Sequence, residues 1–151
     1  MNLILWRHAE AEDFAPDHRD ENRRLTERGR KQAQKMGAWL DAQLPDDTRI
    51  LVSPAVRTRQ TAEALGRKFE IEPRLFTDTD VGDHLQASGW NDSAATVLLV
   101  GHQPTLGQLA AQLMCGQPLP WSVKKGAIWW LAFEQANYPA RLVCMLDSKT
   151  I

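Results

Sequence analysis

Residues 2–6, Asn-Leu-Ile-Leu-Trp, run directly into Arg7 and His8, and this stretch decides the reading of the chain. Largely apolar residues without alternation, at this length, describe a strand buried on both faces. The run is far too short for a signal-peptide core or a membrane span. RILVS at 49–53 and TVLLV at 96–100 repeat the pattern, so three buried strands are expected.

Helical signals separate these strands. From Thr26, a good N-cap, Gly29, Ala33, Met36, Gly37, Leu40 and Leu44 recur at spacings of three and four. Ser53-Pro54 predicts a second helix start, a cap followed by proline at the first helical position, and Pro104 predicts a third. AIWWLAF (127–133) and RLVCMLD (141–147) read as a hairpin turning at Asn137, Tyr138 and Pro139. Segments 10–24 and 77–94 read as irregular. Strand alternating with helix predicts an α/β fold: a three-layer α/β/α sandwich around a mostly parallel, mixed sheet, with ligands at the carboxyl ends of the strands.

At 151 residues, 43% hydrophobic and 25% charged, the chain is expected to form a single domain over 1–151 with one core. A formal charge of −1 and the lack of a long Lys/Arg run argue against nucleic acid or an acidic membrane as partner. Cys115 and Cys144 lack CxxC spacing and read as free buried thiols of a cytoplasmic protein. His18 and His84 lack partners at informative spacing and read as surface residues. One of the adjacent strand residues Trp129 and Trp130 is expected to be exposed.

The residues that follow the three strands carry the chemistry. Arg7 and His8 follow the first, Ser53, Pro54 and Arg57 the second, Gly101 and His102 the third. Parallel strands would gather two His and two Arg at one sheet edge, beside two helix N-termini whose free N–H groups favour an anion. Two guanidinium groups beside paired imidazoles disfavour a divalent cation and suit a phosphoryl group, so neither a metal nor a cofactor is expected. No Cys precedes an Arg at phosphatase P-loop spacing, and no Walker motif is present.

LILWRHAEAE (3–12), RRLTERG (23–29), LVSPAVRTRQTAE (51–63) and VLLVGHQPTL (97–106) resemble, in order, the successive signatures of the histidine phosphatase superfamily. The compact length, RHAEAE and the LTERG helix start resemble its small bacterial SixA branch more than the larger phosphoglycerate mutases. Ala9 stands where the superfamily usually has Gly, and Arg24 where many of that branch have Pro.

The resemblance implies a phosphoglycerate mutase-like fold and a metal-independent phosphatase in which His8 is the nucleophile. Arg7, Arg57 and His102 correspond to the rest of the family's phosphate pocket, with His102 most useful when protonated, so a bell-shaped pH profile is expected. Asp80, Asp78 and Glu10 are the candidates for a general acid. Asp78 and Asp80 compete with roles as turn former or helix cap, and a phosphohistidine substrate needs an acid less than an ester does. With only 77–94 left to form a cap, an open pocket is expected. The implied substrate is phosphohistidine on a protein such as a histidine phosphotransfer domain or a phosphocarrier protein. A small-molecule phosphomonoesterase is the alternative; a non-catalytic phospho-ligand module and a mutase are less favoured.

Overall fold

In the computed structural model, residues 1–90, 95–135 and 139–151 are described. Strands β1 (Asn2–Arg7), β2 (Arg49–Val52), β3 (Glu70–Ile71), β4 (Thr96–Gly101), β5 (Ile128–Ala132) and β6 (Arg141–Leu146) form one sheet in the order β3-β2-β4-β1-β5-β6. The first four are parallel, and β5 and β6 add antiparallel to β1 and to each other. The mixed sheet is as expected. β3, two exposed residues at the edge, has no apolar pattern to reveal it.

Helices α1 (Glu27–Gln43) and α2 (Val56–Glu63) cover one face, and α3 (Val81–Ser88) and α4 (Thr105–Cys115) the other. Each central strand divides its side chains between two cores, which explains the unbroken apolar runs. Ile4, Trp6, Ile50, Val52, Leu98 and Val100 meet Met36 and Leu40 of α1 and Ala62 of α2. Leu3, Leu5, Leu51, Val97 and Leu99 meet Leu106, Leu109 and Leu113 of α4 and Ala87 of α3. Both layers make Trp129 and Trp130 half-buried on opposite faces, so neither is exposed.

Thr26 caps α1 as expected, its Oγ1 accepting from Gly29 N–H at 3.0 Å. The other starts differ. α2 begins at Val56, because Ser53 N–H still donates to Val100 and its hydroxyl is engaged elsewhere. At α4, Pro104 is the N-cap rather than the first helical residue. Segment 77–94 is not wholly irregular: α3 lies within it, started by a capping box in which Asp80 Oδ1 accepts from Asp83 N–H and Asp83 Oδ2 accepts from Asp80 N–H. Residues 91–94 of that segment, and the expected turn residues Asn137 and Tyr138, lie outside the described residues. Cys115, at the last turn of α4, is an exposed free thiol and Cys144 a half-buried one, so neither matches the buried thiols expected. Among the described residues no helix is long and apolar enough to cross a membrane.

Candidate active site

The carboxyl ends of β1, β2 and β4 lie side by side: His8 N–H donates to Gly101 carbonyl (3.2 Å) and Ser53 N–H to Val100 carbonyl (3.0 Å). This brings together the groups that follow each strand. The rings of His8 and His102 stand 5.4 Å apart, centroid to centroid, tilted by 56°. Arg57, in the first turn of α2, and Arg7 both bear electrostatically on His8. His8, Arg57 and His102 are each no more than 5% exposed. The 12–23 loop reaches this site through Asp20, which contacts Arg57.

His8 is held in one tautomer. Its Nδ1 lies 2.8 Å from the carbonyl of Ala9, an acceptor only, so Nδ1 carries the hydrogen and Nε2 keeps its lone pair. The loop supplying that carbonyl is tied to α2: Ala9 N–H donates to Thr61 Oγ1 (3.0 Å), which donates to Arg57 carbonyl (2.8 Å). Burial, countered partly by the Ala9 contact, then reinforced by Arg57, Arg7 and Arg23, lowers the His8 pKa to about 3. Nucleophilic nitrogen is therefore available throughout the neutral range.

His102 is lowered to about 2, by burial first and then by Arg57 and His8. Desolvation thus makes both rings neutral; the protonated His102 of the sequence reading is a state that a bound dianion favours. His102 Nε2 meets Ser53 Oγ at 2.7 Å, which is where the presumed capping hydroxyl of Ser53 is spent.

The two arginines are anchored differently. Arg7 Nη1 donates to Val123 carbonyl (3.0 Å). Arg57 Nη1 donates to Asp20 carbonyl (2.8 Å), and Nη2 to Asp20 Oδ2 (3.0 Å). Arg23 Nε holds the other oxygen of the same carboxylate at 2.9 Å. Desolvation works against ionising Asp20, but Arg57 and Arg23 outweigh it and hold the carboxyl below its ordinary value. Asp20 and Arg23 were not foreseen, since they sit among alternating charges in segment 10–24 with no pattern to single them out. The loop also frames a recess of about 230 Å³ lined by Asp13, Phe14, Ala15, His18, Arg19, Asp20 and Arg23, with Phe14 76% exposed.

The three candidate acids are placed as follows. Asp80 is exposed and caps α3; Asp78 is exposed in the turn before it. Glu10 Oε1 accepts from Thr26 Oγ1 (2.9 Å), and its other oxygen lies 3.8 Å from Arg28. His84 departs most from expectation: it is buried, because the helix on which it lies was not foreseen.

Residues 3–84 match the family model described as histidine phosphatase superfamily (branch 1). The chain belongs to that superfamily. It is 35% identical over 129 residues to the phosphohistidine phosphatase SixA of Escherichia coli strain K12, covering 80% of this chain and 78% of the relative. A solved structure of the protein histidine phosphatase SixA complexed with tungstate superposes with a TM-score of 0.80 at 31% identity, over 97% of each chain. An Escherichia coli structure described as a putative alpha-ribazole-5'-P phosphatase shares the fold alone, at 23% identity and TM-score 0.71, over 100% of this chain and 98% of that one. The phosphoglycerate mutase-like α/β/α fold implied by the sequence signatures is the fold of this histidine phosphatase.

Proposed function

We propose that the chain, acting over 1–151 as one catalytic domain, removes the phosphoryl group from phosphohistidine on a protein. The observation that carries this reading is the state of His8: neutral, hydrogen donated to Ala9, and Nε2 left with a lone pair beside two guanidinium groups. Nε2 attacks phosphorus in line, and the bond from phosphorus to the substrate imidazole breaks, its electron pair leaving with the imidazole, which takes a proton from solvent. Water then attacks the phosphorus of the phosphohistidine, the bond to His8 Nε2 breaks with its electron pair returning to the ring, and the proton of the water passes to solvent, leaving inorganic phosphate and neutral His8. Arg7, Arg57 and His102 bind the equatorial oxygens as charge redistributes. The transfer runs between two imidazoles of similar basicity, so it makes little demand on Asp80, Asp78 or Glu10 as general acids.

The resemblance to SixA proteins supports a protein-borne substrate, such as a histidine phosphotransfer domain or a phosphocarrier protein, in the cytoplasm. The recess around Phe14 gives a protein substrate a place for a residue flanking its phosphohistidine. The test is a panel of a histidine-phosphorylated phosphotransfer protein, a phosphoserine peptide and a sugar phosphate, compared by kcat/KM. Preference for the first by a hundredfold or more is expected; preference for the sugar phosphate would move the assignment to a small-molecule phosphomonoesterase.

A further inference from the structure

His84 is the buried titratable group that this chemistry leaves unused. Its side chain is 1% exposed, and Nδ1 lies 2.9 Å from the Asp80 carbonyl, to which it must donate. A neutral imidazole has one N–H, so Nε2 carries a lone pair, and that nitrogen is buried with no partner among the described residues. His102 Nδ1 is in the same condition, buried and unpartnered, while Nε2 of that ring meets Ser53.

The fold puts the two rings on neighbouring elements. α3, which carries His84, packs on α4, which opens three residues after His102, and Thr105 Oγ1 reaches the Thr79 carbonyl at 3.5 Å across that junction. His84 also bears electrostatically on His102. Unmatched buried nitrogens are costly, and a lone pair on one ring complements an N–H on the other.

We propose that His84 is a positioning residue for His102: its Nε2 accepts the Nδ1–H of His102, in contact or across one water molecule, once the site holds a phosphoryl group. The proposal rests on the reading that His102 binds the phosphoryl oxygens. A bound dianion favours the imidazolium form of His102, which has two hydrogens to place. Nε2–H exchanges Ser53 Oγ for the phosphoryl oxygen, and Nδ1–H needs an acceptor, which His84 offers as long as it stays neutral.

The groups that bear on this balance come from several elements. Arg57, His8 and His84 oppose a charge on His102, and Asp20 favours it. Burial lowers the His84 pKa, against the Asp80 carbonyl contact and the charges of Asp83 and Asp80 at the start of its own helix. The opposing contribution of His84 belongs to its charged form; as a neutral acceptor it favours the charge on His102, so its loss makes the charged form of His102 in the complex titrate at lower pH.

Nitrogen-15 NMR of histidine-labelled protein with orthovanadate bound reads the state of His102 Nδ1 directly. A protected Nδ1–H is expected in the wild type and in His84→Gln, whose side-chain oxygen can stand near the Nε2 position. It is lost in His84→Asn, which can keep the Asp80 contact but cannot reach as far. In kinetics with the phosphoprotein, His84→Asn should move the alkaline limb of kcat down by about one pH unit and lower kcat about tenfold, with His84→Gln close to wild type. Thermal melting separates these effects from loss of structure, and if the Asn variant does not fold, the wild-type and Gln spectra decide. Like behaviour of the two variants, or an unprotonated His102 Nδ1 in the wild-type complex, overturns the proposal. A protected Nδ1–H in a protein that hydrolyses no phosphoryl substrate would instead overturn the function and leave the histidine pair standing.

Discussion

Mild acid should destabilise this fold well before its carboxylates titrate. His8 and His102 are held near pKa 3 and 2 when folded, against about 6.5 in an unfolded chain. Above pH 6.5 both states leave the rings neutral and nothing is lost. Below it, the unfolded chain takes up protons that the folded protein refuses, so stability falls as pH falls. Between pH 7.5 and 5.5 that amounts to about 1.4 kcal/mol per ring and roughly 3 kcal/mol for both, as an order of magnitude. The depressed carboxyl of Asp20 works in a lower window, its stabilisation being lost only as pH drops past ordinary carboxylate values. Urea unfolding at the two pH values measures the difference, and a His8→Asn/His102→Asn double variant should lose most of it. Equal stability at pH 7.5 and 5.5, or an undiminished difference in the double variant, would refute the claim that burial holds these rings neutral.

Replacing Asp20 by Asn removes a negative charge that competes with the phosphoryl group for Arg57; at a carboxylate 58% exposed the gain is only about 1 kcal/mol, so inhibition by inorganic phosphate should tighten severalfold. Weakened inhibition would mean that Asp20 acts mainly by orienting the guanidinium. Ser53→Ala strips a buried hydrogen bond from His102 and should cost about 1–2 kcal/mol in urea unfolding, whereas an unchanged midpoint would show the ring finding another partner. Gly107→Ala would set a methyl group against the carbonyl of Trp121 on the packed face of α4; a loss of about 1–3 kcal/mol or more in thermal melting is expected, and an unaltered Tm would mean that the loop at Trp121, between α4 and β5, gives way freely.

The central sheet was legible because β1, β2 and β4 are buried on both faces, so their apolar runs are unbroken and their ends are marked by Arg7-His8, Ser53 and Gly101-His102. The same logic gathers Arg7, His8, Arg57 and His102 at one sheet edge, where the structure brings them together. What escaped notice has little apolar patterning. β3 is exposed, and α3 is eight residues long and starts on Asp80, a residue that reads equally as a turn former. With α3 unseen, the burial of His84 could not be anticipated. Ser53 misled for a related reason: its hydroxyl fits a helix cap locally, but a long-range partner, His102, takes it. Asp20 and the Ala9 carbonyl are contacts made by loop geometry, which residue spacing does not encode.

The most direct test of the account is to mix the protein with a histidine-phosphorylated phosphotransfer protein in EDTA, quench in alkali on the timescale of one turnover, and map the peptides. One acid-labile, alkali-stable phosphoryl group on the peptide containing His8, absent from His8→Asn together with phosphate release, is the predicted result. Undiminished release by His8→Asn, or a phosphoryl group carried elsewhere on the chain, would contradict it.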